Sequence, residues 1–491
     1  MKLTERTNYS AASTTDILHI VVTGDTSQDP SGSSYFISIQ QILDLTPNNN
    51  NNNNNWVSGS TGLFSIKTIN DSGLDAMGDY AVAEGRHTTA SGFSSHAEGQ
   101  YTTANGIASH SEGDHTTASN DFTHAEGANT TASGNNSHAE GNSTISSGYT
   151  SHAEGYQSQA IGYVSHAEGD TTTASGESSH AEGQGTIASG PVSHAEGAGT
   201  TASGLASHAE GGSTTASGES SHAEGNGTIA SGDYSHSEGI YTNAIGTSSH
   251  VEGISTNATG GNSHAEGHNT IAIGYVSHAE GDSTIASGDY SHSEGIYTKA
   301  SGSASHAEGV GTIASGSTSH AEGIYTTASG SRSHAEGVST TAIGDYSHVE
   351  GYQSTTIGST SHAEGYGTIA IGFTSHAEGI ATTASGSGSH SEGDHTTASG
   401  DYSHAGGIGS IASGLVSFVH GSGSTASGIN TIVLGNGITG VLDNTTYVNE
   451  INIKTIRDYL NDAAADADVT LGIGGLYTTT SSTGRTVYRK P

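Results

Sequence analysis

The chain contains no cysteine, four prolines, one tryptophan and only 11 lysines and arginines among its 491 residues. The absence of cysteine excludes disulfide bonds, thiolate metal sites and cysteine nucleophiles. Against 48 acidic residues, the few basic ones leave a net charge of −37, which excludes the basic surface that nucleic-acid binding requires. No apolar run approaches the ~18 residues of a membrane-spanning helix, so we expect no membrane insertion.

Apolar residues are also scarce. Hydrophobic residues make up 31% of the chain and aromatic residues 6%, which is too little for several conventional hydrophobic cores. Disorder would predict high charge or irregular low complexity. Charged residues are only 12% and the pattern is strictly periodic, so the composition favours an ordered repeat.

A 14-residue repeat fills most of the chain, and one unit reads RHTTASGFSSHAEG (86–99). The glycine that closes SHAEG recurs every 14 residues from Gly85 to Gly435 without insertion or deletion. Frequent glycine, serine and threonine argue against a helix. Two five-residue segments, TTASG and SHAEG, are each closed by glycine, which predicts two short strands and two tight turns. The unit therefore predicts one coil of an all-β parallel β-solenoid.

Alternation along the strands assigns the faces of each coil. Ala90 and Ala97 are the predicted interior, and His96 and Glu98 point the opposite way from Ala97. An interior of alanine and serine buries too little apolar area to stabilise a coil by itself. We therefore expect another face to be buried against partner chains, most simply in a symmetric homo-oligomer.

The turns are predicted from glycines in two columns. Asn120 replaces one of them, and since asparagine tolerates positive φ, its column is predicted to be a left-handed turn position. The predicted turn glycines are Gly92, Gly99, Gly106 and Gly113. Between them the variable residues Phe93, Tyr163, Tyr234 and Tyr402 are expected at solvent-exposed corners, where a glycan contact is the alternative to plain exposure.

A histidine two residues before a glutamate suggests catalysis or metal binding. Catalysis needs one asymmetric site with a base, an orienting partner and a cleft, whereas the His96 column repeats to His404 in register. No nucleophile elbow, phosphate-binding loop, zinc-protease motif or calcium nonapeptide is present. We therefore expect neither enzymatic activity nor a catalytic residue, metal site or cofactor.

Apolar residues replace histidine and glutamate only near the ends of the repeat, which favours a buried face. Since buried ionisable groups must be paired, we interpret the two columns as a ladder of His–Glu hydrogen bonds between chains. The predicted interface residues are His96, Glu98, His110, Glu112, His124, Glu126, His138, Glu140, His152, Glu154, His166 and Glu168, with Val82, Phe418, Ile432 and Leu434 in the same columns at the ends.

The ASG and SHAEG halves of the unit resemble the A-x-G and S-x-A-x-G halves of the YadA-like head repeat of trimeric autotransporter adhesins. The resemblance covers residues 80–435 and implies a left-handed parallel β-roll in a homotrimer. It also implies that the outward residues of the SHAEG strand, His96 and Glu98 among them, face the trimer axis. This chain departs from the family in having His and Glu where Val and Ile are usual.

The SHAEG variant is similar to repeats of phage and other viral fibre proteins. The N-terminus lacks the continuous apolar core of a signal peptide, and the C-terminus lacks a coiled-coil stalk and membrane strands. On these grounds we expect a trimeric fibre or spike on a virion surface that supports host attachment. A bacterial surface adhesin is the alternative.

Four regions follow. Residues 1–47 resemble the N-terminal segment of phage fibres and would contact other virion proteins. Residues 48–79 form an asparagine-rich linker and lead-in, and residues 80–435 form the β-roll. Residues 436–491 form a tip with a short helix at 454–468 and a β-hairpin of LYTTT against TVYRK. A host receptor or glycan is the expected further partner.

Overall fold

The computed structural model describes residues 56–68 and 75–450, together with strands at 21–22, 33–34, 457–459, 476–481 and 484–489. The chain divides into two compact units, Met1–Tyr297 and Thr298–Pro491, which are described separately below. Every regular element in the described residues is a strand. In this part of the chain, no helix is long and apolar enough to cross a membrane.

The repeat folds as an all-β parallel β-solenoid of about 27 coils, with about 14 residues per turn. Each coil contributes one strand to a first sheet and one to a second. First-sheet strands begin every 14 residues from Val82–Arg86 to Thr446–Val448, and second-sheet strands run from Asp75–Ala76 to Thr439–Gly440. The prediction of a parallel solenoid with two strands per coil is therefore confirmed.

The two kinds of strand differ in length. Second-sheet strands have two residues each, so the predicted five-residue TTASG strand is too long. Most first-sheet strands have five residues, as in His96–Gln100. The exceptions are His138–Ala139, His250–Val251, His334–Ala335, His348–Val349 and His390–Ser391, with two residues each, and Ile432–Leu434 and Thr446–Val448, with three.

Register is uniform because every coil has the same length. In the first unit His96 pairs with Val82 on one side and His110 on the other, and in the second unit His306 pairs with His320. Equivalent side chains therefore stack in columns at the ~4.8 Å strand spacing. We name the histidine column (every 14 residues from His96 to His404) and the glutamate column (Glu84 to Glu392) from this register.

The interior is a double column of small side chains. Ala90 and Ala97 are completely buried, as predicted, and so are their equivalents along each unit. Two further columns complete the interior, since Thr88 is fully buried and Ser95 is 1% exposed. The Ser95 hydroxyl donates to the Gly92 carbonyl at 2.8 Å across the corner, which gives a reason for the serine that opens SHAEG.

The two glycine columns differ in their roles, since Gly92 lies in a turn, as predicted, whereas Gly99 does not. Neither Gly92 nor Asn120 has a positive φ, so the left-handed prediction for that column is wrong. A Cβ at Gly92 would lie 1.8 Å from the carbonyl oxygen of Gly106, so that glycine is required by the close approach of adjacent coils. Gly99 has a φ of 108° and lies inside its strand rather than in a turn.

The left-handed corners are occupied instead by ordinary residues. Ser94 and Tyr101 have φ values of 55° and 56°, and equivalent positions recur in coil after coil. Such a conformation costs roughly 1–2 kcal/mol for a residue with a side chain. Stacked backbone hydrogen bonds hold it, since Tyr101 N–H donates to the Arg86 carbonyl at 2.8 Å.

Parallel pairing extends beyond the predicted limits of the repeat. In the first unit the strand Ile66–Thr68 pairs parallel with the strand Val82–Arg86. The strand Trp56–Ser58 in turn pairs antiparallel with Ile66–Thr68. In the second unit Thr446–Val448 pairs with Ile432–Leu434. The parallel pairing of strands therefore extends further along the chain than the SHAEG motif does.

Outside the repeat, the description is limited to short strands. Val21–Val22 pairs antiparallel with Ser33–Ser34, while the rest of the predicted N-terminal segment and the asparagine run lie outside the described residues. Leu476–Ser481 pairs antiparallel with Gly484–Arg489 at the predicted hairpin.

The prediction of a helix at 454–468 is wrong for the three of these residues that the structure describes. Arg457–Tyr459 is a strand that pairs parallel with Tyr477–Thr479, and the other residues of the expected helix lie outside the described part. Pairing with the hairpin prevails there over the helical pattern of the sequence.

Candidate functional site

The histidine and glutamate columns share the outer face of the first sheet. Each strand alternates, so that Ala97 is buried while His96 and Glu98 are half-buried on the other side. In the first unit the imidazole of His222 is 35% exposed and the carboxylate of Glu210 is 33% exposed. The chain by itself thus leaves about a third of each side chain open to solvent.

The imidazoles stack face to face. Ring centroids of His208 and His222 lie 4.8 Å apart with an angle of 0° between the planes. The stack runs from His96 to His292 in the first unit and from His306 to His390 in the second. His404 and Phe418 continue the column at 4.7 and 4.8 Å, with their rings tilted by 54° and 46°. Equal coil length imposes this spacing, and parallel rings follow from identical backbone geometry.

The Nε2 atom of each histidine points toward the glutamate column. In most coils it forms no hydrogen bond with a glutamate. His124 Nε2 lies 3.7 Å from Glu112 Oε1 and 3.9 Å from Glu126 Oε2. These distances exceed the ~3.2 Å limit of an ordinary N–H···O bond. His124 Nε2 is buried and has no hydrogen-bond partner within the chain. A contact closer than the rest occurs at the end of the column, where His404 Nε2 lies 3.2 Å from Glu392 Oε1.

Neighbouring carboxyl groups share protons along the glutamate column. Hydrogen bonds with Glu84 and Glu112 raise the pKa of Glu98 to about 7, and those with Glu140 and Glu112 raise the pKa of Glu126 to about 8. The same bonds lower the pKa of Glu112 to about 2. Burial and the like charge of the neighbouring carboxylates also raise the pKa of Glu98 and Glu126, so adjacent glutamates differ in how readily they ionise.

Burial acts on the histidines in the opposite direction. It lowers the pKa of His110, His138 and His166, and neighbouring imidazoles lower it further. The pKa of His138 falls to about 4. These imidazoles are therefore neutral near pH 7, and each Nε2 faces a carboxyl without the full attraction of an ion pair.

A shallow groove accompanies the glutamate column. In the first unit it is lined by alternating glutamates and glycines from Glu84 to Gly183, and in the second by those from Glu322 to Gly379. Because glycine lacks a side chain, the groove floor is backbone and its wall is carboxylate. The surface is long, uniform and acidic, which does not provide the single asymmetric cleft of an active site.

The structure places the predicted end residues in the same columns. Val82 pairs with His96, Phe418 with His404, Ile432 with Phe418, and Leu434 with His420. Ile432 is 37% exposed and Leu434 is 43% exposed. Apolar side chains thus extend the outer face of the first sheet where histidine and glutamate end.

The predicted interface residues of the other coils all lie on this face. His96, Glu98, His110, Glu112, His124, Glu126, His138, Glu140, His152, Glu154, His166 and Glu168 form the first part of the two columns. Register brings each histidine beside its own glutamate and that of the preceding coil. Hydrogen bonds between chains along this ladder stay a prediction.

The corners hold the exposed aromatic residues. Phe93, Tyr163, Tyr234 and Tyr402 are between 50% and 66% exposed, as expected of solvent corners. Sequence reasoning missed the aspartates beside some of them. Asp401 Oδ1 accepts from the Ser387 N–H at 2.9 Å, so that it caps the corner of the preceding coil. The recurring DYSH pattern was the signal that could have indicated this role.

A family model for the YadA head domain repeat (two copies) matches the chain in a series of overlapping segments between residues 97 and 415. Together these segments span more than half of the chain. The chain belongs to the YadA head domain repeat family. No curated protein matches it. The YadA head repeats point to an adhesin-like or fibre protein of the autotransporter type, extracellular or exposed at a surface.

As YadA head repeats, the coils explain why the fold tolerates unusual outer residues. Register, small interior and corner glycines depend on the A-x-G and S-x-A-x-G letters, all of which face inward or approach a neighbouring coil. The outward letters are free to vary. In this member of the YadA head repeat family they are histidine and glutamate.

Proposed function

We propose that the protein is the shaft of a homotrimeric fibre on a virion surface, with the histidine and glutamate columns at the interface between its chains. The observation that carries the proposal is the outer face of the first sheet. It is half-buried in one chain, Nε2 atoms such as those of His124 and His222 form no hydrogen bond within that chain, and apolar Ile432 and Leu434 continue it. Burial against two copies would give these groups both contacts and partners.

The proposal assigns no enzymatic role to the protein. Columns that repeat without change along the described coils suit a spacer, and the long acidic surface keeps neighbouring fibres apart in solution. The non-repetitive N-terminal region would attach to other virion proteins. The corners and the C-terminal region are the places where a host receptor or glycan would be contacted.

The proposed interface can be tested by placing negative charges on the outer face of the first sheet. The variant His194→Asp, His208→Asp and His222→Asp adds three carboxylates to the outer face of the first sheet. We expect weaker trimers, because uncompensated carboxylates would be desolvated at each level. Light scattering should report a lower mass, and circular dichroism a lower unfolding temperature.

The matched control places the same charges on the second sheet of the same unit. Thr201→Asp, Thr215→Asp and Ile229→Asp change outward side chains that are half-buried or exposed. We expect trimers of unchanged mass. Trimers that survive the histidine variant, or a wild-type mass equal to one chain, would contradict the proposed interface.

The virion location has its own test. An antibody against the full chain should label purified virus particles and leave bacterial envelopes unlabelled. The proposal is supported by the similarity of the SHAEG variant to viral fibre repeats. Labelling of bacterial envelopes alone would assign the fibre to a cell surface and overturn this part of the proposal.

A further inference from the structure

Three potential metal ligands from one chain meet at many levels of the ladder. In the first unit His180 Nε2 lies 3.8 Å from Glu182 Oε2, and His194 Nε2 lies 4.0 Å from Glu182 Oε1. The potential ligand atoms of the three residues all lie within 4.8 Å of one another. One carboxyl group is therefore placed between two imidazole nitrogens of successive coils.

These distances suit a cation better than a hydrogen bond. At ~3.2 Å and beyond, N–H···O bonds weaken steeply, so the Nε2 atoms of His180 and His194 make none within the chain. Ligands bound at ~2.0–2.2 Å in tetrahedral geometry are roughly 3.4 Å apart. Rotation of the side chains by up to about 1.4 Å would bring Glu182 and both histidines, whose ligand atoms lie within 4.8 Å of one another, to that separation.

The donor set selects the class of cation. Two imidazole nitrogens and one carboxylate oxygen suit zinc and neighbouring divalent transition metals, whereas calcium and magnesium prefer oxygen-only sets. The net charge of −37 also favours the accumulation of cations.

We propose that the His–Glu–His sets of the ladder bind zinc or a similar divalent transition-metal ion, through two Nε2 atoms and one carboxylate oxygen of a single chain. The sets at His180, Glu182 and His194 in the first unit and at His320, Glu322 and His334 in the second have this geometry. A water molecule, or a group of a neighbouring chain, completes the coordination. The binding goes beyond the proposed function and does not depend on trimers.

The repeat limits the number of ions. Successive sets share a histidine, as His320 belongs both to the set with Glu308 and to the set with Glu322. Each Nε2 can bind one ion, so neighbouring sets cannot be filled together. The 23 histidines of the column can therefore supply two ligands each to at most eleven ions.

The test uses the full chain, freed of metal with a chelator and then dialysed against zinc chloride. We expect several zinc ions per chain, and at most eleven, by elemental analysis and calorimetric titration. Magnesium and calcium chloride should give no saturable binding. X-ray absorption at the zinc edge should show about two imidazole nitrogens for each ion. Less than one bound zinc per chain would overturn the proposal.

A variant pair separates the column from other histidines. His180→Asn, His208→Asn, His236→Asn and His264→Asn interrupt every two-histidine set between His166 and His278. Runs of six and two histidines remain in the first unit and a run of eight in the second, which can fill at most eight sites, so the maximum falls by about three. The control changes four histidines outside the column: His87→Asn, His115→Asn, His268→Asn and His395→Asn. We expect the control to bind as much zinc as the wild type.

Equal losses in both variants would contradict binding at the column. Circular dichroism in chelator checks that the variants fold. If the histidine variant does not, a second variant removes all seven carboxylates of the glutamate column between His180 and His278 and should lower the maximum to eight in the same way. Its substitutions are Glu182→Gln, Glu196→Gln, Glu210→Gln, Glu224→Gln, Glu238→Gln, Glu252→Gln and Glu266→Gln. Light scattering on the same samples reports trimers separately, so zinc binding and trimer formation can fail independently.

Discussion

At the scale of single residues, glycine has two distinct roles in this protein. Gly183 has a φ of 104°, and a Cβ there would lie 2.2 Å from the Gly197 carbonyl oxygen. Gly185 has a φ of 63°, but a Cβ there would meet nothing within 4 Å. The same corner position holds Tyr101 and Thr171 at similar φ values. One glycine is thus required by packing, and the other is replaceable.

This contrast predicts unequal effects of one substitution at two neighbouring positions. Gly183→Ala should lower the free energy of unfolding by about 3 kcal/mol, since backbone of the next coil must move. Gly185→Ala should change it by about 1 kcal/mol or less, because the left-handed strain of roughly 1–2 kcal/mol is partly offset by the lower entropy of the unfolded chain. Denaturant unfolding and local hydrogen exchange measure both. Equal effects of the two substitutions would show that the close approach of adjacent coils is not the reason for glycine at position 183.

At the scale of the coil, the interior accepts methyl groups but no charge. Val251, Val349, Val419 and Val433 are fully buried in a column that holds alanine or serine in most other coils. Their presence shows that a slightly larger side chain fits that column. Stability therefore comes from close stacking of small side chains and from backbone hydrogen bonds between coils rather than from a large apolar core.

Two substitutions at one interior position test this view. Ala209→Val should cost less than about 1.5 kcal/mol, as valine occurs in the same column. Ala209→Asp should cost several kcal/mol, because a carboxylate would be buried without a partner. Thermal unfolding followed by circular dichroism compares them. An aspartate variant as stable as the valine variant would mean that the interior is open to water.

At the scale of the element, the sequence predicted faces better than lengths. Alternation in SHAEG correctly separated Ala97 from His96 and Glu98, because side chains of a strand alternate wherever the strand is formed. It failed for TTASG, where only Thr89–Ala90 is a strand. It also failed at 454–468, where pairing of Arg457–Tyr459 with a hairpin strand prevails over a helical pattern. The pairing of strands that are distant in the sequence cannot be read from the local pattern of residues.

At the scale of the whole molecule, the coil is the unit of change. Contacts run between successive coils in a constant register, as His96 with His110 and Gly99 with Gly113. Removal of one complete coil should leave all remaining neighbours equivalent. Removal of half a coil would place a first-sheet strand where a second-sheet strand belongs.

Deletion of residues 185–198 should therefore preserve the fold, with an unfolding temperature within a few degrees of the wild type. Deletion of residues 185–191 should lower it strongly, because seven residues exchange the two sheets. Circular dichroism and calorimetry compare the two. A tolerated seven-residue deletion would contradict a coil built from two unequal halves.

The sequence by itself determined the period, the parallel solenoid, the alanine interior and the columns of histidine and glutamate. This was possible because the repeat shows the residue preference of each position in the coil many times. Only the tertiary structure decided why Gly92 must be glycine, where the left-handed corners lie, and that most Nε2 atoms rest 3.5–4.0 Å from carboxylates without a hydrogen bond. Those features depend on the distance between one coil and the next, which no single coil contains.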